Sequence, residues 1–383
     1  MPAAYRHVYV HVPFCARRCV YCDFAIAVRA RVPVDEYVAG VRAELTARFG
    51  PAPSVAERAP VSTLYFGGGT PSRLGGDGLA RLVDAAREWF VLDDGAEVTA
   101  EANPDDVTGH AIAAWRAAGV NRLSIGAQSF GADALAWMRR SHARDAAERA
   151  VERARAGGID DVSLDLIFAL PDGVARDLDA DLARIAALEP THVSIYGLTV
   201  EPGTPLGRFS DRRLVDEADE GRYEAEFLAA HDALAGAGFE HYEVSNFARP
   251  GRRARHNSAY WSGAPYLGLG PSAHGFDGRT RRWNEPAYAR WLPQVAAGRD
   301  PVAGCDPVDE DARVTERVYL GLRTVDGLVL RAGERPRVER WAAAGWATLD
   351  TDETGATRAR LTALGWLRLD ALAADLTSFR SRS

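Results

Sequence analysis

Three cysteines fall within one short stretch near the start of the chain: Cys15, Cys19 and Cys22, spaced C-x3-C-x2-C. Three thiolates on one loop can hold three irons of a four-iron cubane, and the fourth iron then has no ligand from the protein. An open iron can bind and activate a small molecule, whereas a fully ligated cluster mostly carries electrons. Zinc is the serious rival. It usually takes four N or S ligands as two pairs, and here the second pair is missing. A c-type haem attachment needs C-x-x-C-H, but Asp23 follows Cys22. The spacing therefore favours an iron–sulfur cluster. The fourth cysteine, Cys305, is remote and reads as a structural free thiol.

Such a loop has to be held by a scaffold. Short apolar runs at His7–His11, Thr63–Phe66, Glu97–Glu101, Arg122–Gly126, Asp161–Ile167 and His192–Leu198 predict strands. Between them, Tyr37–Phe49, Leu79–Trp89, Asp105–Ala118 and Arg144–Ala156 repeat apolar residues at helical spacing. Alternating strands and helices predict a parallel α/β sheet. Six units are too few for a closed eight-strand barrel, so a partial barrel or an open doubly wound sheet is expected. In either, reactive groups lie at the C-terminal strand ends. The unusual residues do cluster there: the cysteine loop after the first strand, Gly67-Gly68-Gly69-Thr70-Pro71 after the second, Glu101 and Asn103 after the third, Gln128 after the fourth, Asp165 late in the fifth and Tyr196-Gly197 on the sixth.

Beyond Phe239 the pattern changes. His241–Asn246 predicts one more strand, Arg249–Arg255 a basic loop, and Tyr266–Gly275 a glycine-rich segment. After Trp283, helices are expected over Arg313–Leu322 and Arg337–Ala344, with a short hairpin, in a small winged-helix-like domain.

A chain of 383 residues accommodates a large domain and a small one. Its net charge of −7 argues against nucleic-acid binding. Every fixed cation is arginine; lysine is absent. The start lacks a secretory pattern, no apolar run is long enough for a bilayer, and four cysteines make no disulfide framework. A cytoplasmic location is the expectation.

The cysteine spacing, on the loop after the first strand, resembles the radical S-adenosylmethionine (SAM) superfamily. That resemblance implies a [4Fe-4S] cluster whose open iron is chelated by SAM, and reduction that cleaves SAM to a 5′-deoxyadenosyl radical. The motifs Tyr9-Val10-His11-Val12-Pro13-Phe14-Cys15, Phe66-Gly67-Gly68-Gly69-Thr70-Pro71-Ser72, Glu101-Ala102-Asn103-Pro104, Ser124-Ile125-Gly126-Ala127-Gln128-Ser129-Phe130 and Asp165-Leu166-Ile167-Phe168-Ala169-Leu170-Pro171 are similar to the coproporphyrinogen III dehydrogenase family over nearly the whole chain. The resemblance implies a partial (β/α)6 barrel over residues 1–238, an extension over 239–290 and a winged-helix-like domain over 291–383. It also implies that Tyr9, Tyr21, Gly68, Gly69, Thr70, Glu101, Gln128, Arg140, Asp165 and Gly197 line SAM.

Two branches of that family differ at places this sequence decides. The dehydrogenase has a longer N-terminal extension and a fourth cysteine two residues past the third; here that position is Phe24. A haem-chaperone branch lacks the cysteine and carries H-N-x-x-Y-W, present here as His256-Asn257-Ser258-Ala259-Tyr260-Trp261. The resemblance thus implies a protein that binds haem and passes it to acceptor haemoproteins, respiratory and membrane-associated ones included. The alternative is oxidative decarboxylation of coproporphyrinogen III. His256 is the expected haem ligand, with Tyr260 and Trp261 stacking on the porphyrin. Arg249, Arg252, Arg253 and Arg255 are expected partners for its propionates or for an anionic membrane surface. His7 and His11 read as packing or orienting groups, and His274 resembles a family segment near the substrate cavity. SAM cleavage, the mode of haem attachment, the acceptor and the oligomeric state stay open.

Overall fold

The computed structural model describes residues 5–381. The six expected strands form in order: β1 (His7–Val12), β2 (Ala59–Gly68), β3 (Phe90–Ala102), β4 (Arg122–Gln128), β5 (Asp161–Phe168) and β6 (His192–Gly197). They pair in parallel as neighbours, each followed by helix. Period-two alternation gives the sheet two unlike faces. Val8, Val10, Leu64, Phe66, Val98, Leu123, Ile125, Leu164 and Ile195 are buried in the core shared with the helices. Each such side chain contributes about 1.5–3 kcal/mol by burial. The intervening positions carry Tyr9, His11, Thr63, Tyr65, Glu97, Glu101, Ser124, Asp165, Ser194 and Tyr196. Parallel sheets covered on both faces ordinarily read as continuous apolar runs. Here one face is polar, so the inside of the arc is built for a ligand.

Strand β3 runs well before its expected start, through Asp93-Asp94-Gly95, which reads as a turn. The extra length survives because Asp93 takes hydrogen bonds from Arg6 and from Ser62 Oγ, holding it beside β2. The expected strand over His241–Asn246 is instead a hairpin of β7 (Glu240–Glu243) and β8 (Asn246–Ala248). The fully buried Glu243 carboxylate accepts the Ser245 N–H at 3.2 Å and turns the chain.

The glycine-rich segment supplies a seventh parallel strand, β9 (Tyr266–Leu269), beside β1. Gly268 is required there because a Cβ would meet the His274 carbonyl oxygen at 1.9 Å. Strands β10 (His274–Phe276), β11 (Thr280–Asn284) and β12 (Val302–Pro307) extend that edge antiparallel. The sheet order is β12-β11-β10-β9-β1-β2-β3-β4-β5-β6-β8-β7. Helix Tyr288–Ala296, which spans residue 290, packs on helix Val34–Phe49, and strand β12, which lies past it, edges this large sheet.

Helices Glu310–Arg323, Arg335–Ala343 and Leu369–Arg380 surround a three-stranded antiparallel sheet of Leu328–Val329, Thr357–Leu361 and Ala347–Thr351, a winged-helix-like order. This unit is held to the barrel by the Arg323–Glu243 ion pair at 2.8 Å and by Trp366, edge-on to His241.

Glu44 ties helix Val34–Phe49 to the extension. Its fully buried carboxylate accepts from Gly270 N–H at 2.8 Å, Asn284 Nδ2 at 2.7 Å and Trp291 Nε1 at 3.0 Å, and faces Arg48 at 3.3 Å. Glu44→Ala strands all four donors, so a loss of about 3–5 kcal/mol is expected. The shift of the urea midpoint measures it; a shift below about 1 kcal/mol contradicts the role.

Candidate functional site

The C-terminal ends of the strands converge on a cavity of about 550 Å³. Cys15, Cys19 and Cys22 line it, with Tyr21, Gly68, Gly69, Thr70, Glu101, Gln128, Arg140, Asp165 and Gly197. Eleven of the twelve sit on or next to expected strand ends or the cysteine loop; Arg140 comes from the segment between strands four and five. Tyr9 is the exception among the expected residues and lines a neighbouring cavity instead.

The cysteine loop is pinned from below. His11 sits on β1 with Nδ1 3.1 Å from Tyr9 OH and Nε2 3.0 Å from the carbonyl oxygen of Ala25, three residues past Cys22. This is the orienting role expected of it. Cys15 Sγ lies 3.4 Å from Thr70 Oγ1. Burial raises the Cys15 thiol and pushes Cys22 up to about 11, so both protons must leave when a metal binds.

On the second strand end, Gly68 has φ of 110°, and a Cβ there would strike the His11 ring at 2.6 Å. Its N–H donates to Glu101 Oε2 at 3.0 Å, while Tyr65 O–H donates to Oε1 at 2.8 Å. Burial pushes Glu101 up to about 7. Asp165, at 3.0 Å from Ser124 Oγ, is likewise raised by burial to about 6. Gln128 adopts φ of 65° at a register break between β4 and β5. A left-handed non-glycine residue costs of order 1–3 kcal/mol and is characteristic of functional positions. The bulge brings Gln128 to the cavity wall.

Arg140 is the cationic wall. Its Nη2 donates to Asn103 Oδ1 at 3.0 Å and to the Gly126 carbonyl at 2.8 Å, and Nη1 lies 3.7 Å from Cys19 Sγ. Its Nε is buried with no partner. Asn103 stands among the strand-end residues the sequence marks, whereas sequence reasoning missed Tyr65 and Ser124 as members of this network. Tyr65 and Ser124 lie mid-strand, where only the odd-even alternation marks them.

The donor set fits a cluster. Three thiols from one loop face a cavity whose guanidinium would oppose an anionic iron–sulfide core. Among the described residues no three His, Cys, Asp or Glu groups converge tightly enough for one ion; three thiolates on separate irons do not need to.

The expected haem residues lie elsewhere. His256 and Tyr260 are four apart on helix Arg255–Trp261, whose first N–H groups, from Arg255 and His256, donate to the Glu97 carboxylate at 2.8 and 2.9 Å. His256 is 1% exposed. Its Nδ1 lies 2.7 Å from Thr63 Oγ1 and its Nε2 2.8 Å from Tyr260 O–H, with Tyr65 stacked on the ring. Burial lowers it to about 3. Both nitrogens are engaged, and the ring lines neither cavity, whereas Tyr260 and Trp261 line the neighbouring one. The arginines of the 249–255 loop, expected to meet propionates, are occupied. Arg249 lies over the Phe239 ring, Arg253 bridges Glu240 and Asp326, and Arg255 donates to the Gly95 carbonyl. Cys305 is exposed on β12.

Residues 9–185 match the radical SAM superfamily. The chain is 39% identical to the heme chaperone HemW of Mycobacterium tuberculosis, covering 98% of this chain and 96% of that protein. It is 37% identical to HemW of Escherichia coli over 75% of each. Among solved structures, coproporphyrinogen III oxidase (HemN) of Escherichia coli, a radical SAM enzyme, superposes with a TM-score of 0.78 over 99% of this chain and 91% of its own; at 22% identity that likeness is one of fold. With 39% identity over nearly the full length of a heme chaperone, the chain belongs to the HemW family of heme chaperones within the radical SAM superfamily.

Proposed function

We propose that this chain binds haem and hands it to acceptor haemoproteins. In this reading Cys15, Cys19 and Cys22 hold three irons of a [4Fe-4S] cluster, and SAM occupies the cavity on the fourth. Near-full-length relatedness to heme chaperones is the observation that carries it. Phe24, in the place of the cysteine that the oxidative branch carries, supports it from the chain itself.

The chain's own residues explain how SAM would be seated. Gly68 and Gly69 offer backbone without side chains, Glu101 and Asp165 offer carboxyl oxygens, and Gln128 an amide. A reduced cluster of this kind supplies one-electron chemistry when SAM is bound. Glu101, raised toward neutrality, can accept or donate hydrogen bonds to hydroxyls near physiological pH. Arg140 would oppose the negative charge of the cluster and fix the Cys19 side of the loop.

Anaerobically reconstituted protein titrated with haem should give a Soret band that saturates near one equivalent. Mixing with an apo-haemoprotein should then move the band to the acceptor. Absence of saturable binding overturns the proposal. So does turnover of coproporphyrinogen III to protoporphyrinogen with SAM and a reductant, which would make the chain an oxidative decarboxylase. No helix among the described residues is long and apolar enough to cross a membrane.

A further inference from the structure

We propose that haem sits between the mouth of the barrel and helix Glu310–Arg323, with His274 on the iron and Arg313, Arg331 and Arg358 meeting the propionates. This rests on the haem-carrying reading above and assigns its seat.

A bound haem needs a slot with aromatic walls, a histidine lone pair and cations for two carboxylates. A cavity of about 540 Å³ opens beside the thiol cavity, a size ordinary for a ligand site. Tyr260, Trp261, Tyr266 and Phe276 line it. His274 lines it too. It is exposed, its ring makes no hydrogen bond among the described residues, and it stacks on Trp283 at 6.0 Å. His256 offers the reverse, a buried ring with both nitrogens committed. Two residues before His274, Ser272 is left-handed at φ of 61° and lines the same cavity. Strain of this kind gathers at ligand clamps.

The cations come from a second cavity of about 630 Å³, which shares Trp261, Gly263, Phe276, Glu316 and Leu320 with the first. Its lining holds one carboxylate, Glu316, already paired with Arg281. Five arginines line it. Arg317 and Arg380 pair with Glu310 and Glu334. Among the described residues Arg313, Arg331 and Arg358 form no ion pair, and Arg313 and Arg358 donate to backbone carbonyls. Guanidinium groups with no carboxylate in direct contact, beside an aromatic slot, suit a planar dicarboxylate.

The test is a haem titration of the reconstituted full chain. His274→Ala should weaken binding at least about tenfold and alter the Soret position, and added imidazole should restore the spectrum. The exposed, unbonded position of His274 predicts an unchanged melting temperature. The double variant R313Q/R358Q should weaken haem binding about tenfold without moving the Soret maximum. Haem dimethyl ester, which lacks the charges, should bind wild type and double variant alike. Wild-type affinity and spectrum in His274→Ala overturn the assignment while leaving the haem-carrying reading intact. Failure of the wild type to bind haem overturns that reading itself. Equal loss of haem and of its dimethyl ester in the double variant removes the propionate assignment.

Discussion

Changing any one of Cys15, Cys19 or Cys22 to alanine should strip the anaerobically reconstituted chain of almost all its iron, from about four atoms per chain. Only three thiols face the cavity, and Cys305 lies on the far sheet edge, so no spare ligand can substitute. Cys305→Ala should keep its full iron. The fold should survive these changes, because Cys19 and Cys22 are only half-buried. Cys15 is more buried but makes just the 3.4 Å contact with Thr70. Iron and sulfide analysis, with circular dichroism for the fold, checks this. Near-normal iron in any of the three variants contradicts the ligand assignment.

The second large effect is acid lability of the metal-free chain. Burial holds four histidines neutral: His142 at about 4, His241 and His256 at about 3, and His192 well below its usual value. Below pH 6.5 the unfolded chain protonates them and the folded chain does not, so the stability they give is complete above that pH and is lost as pH falls. Glu101 and Asp165 act oppositely. Their raised values mean that the folded chain binds protons first, so it gains stability as pH falls from about 7. Burial also holds down His7, His11, His231 and His274, while Glu44, Asp106 and Glu243 are raised beside the two carboxyls. Eight lowered histidines set against five raised carboxyls give a net loss of stability as pH falls from 7 to 5. The urea midpoint should drop markedly from pH 7 to pH 5; an equal or higher midpoint at pH 5 refutes the balance.

The sequence announces the parts that depend on local order. All six parallel strands are legible because apolar and polar residues alternate over four to seven positions, and the cavity is legible because odd residues follow those strands. Strand β9 escapes because glycine lowers strand propensity, and its necessity at 268 comes from β10, which lies later in the chain. The H-N-x-x-Y-W motif is visible, but the burial of His256 is not, since Thr63 lies 193 residues away in sequence. The basic cavity was invisible for the same reason. Arg313, Arg331 and Arg358 come from a helix, a loop and a strand, and only packing assembles them.

Asp23 and Phe24, directly after the third cysteine, line the thiol cavity and the aromatic cavity alike. A shared wall gives the two cavities a direct physical route for coupling. Whatever factor an occupant of the first cavity imposes on affinity in the second, the second occupant must impose in return. Any influence of one cavity's occupant on the other has Asp23 and Phe24 as its shortest route, in both directions.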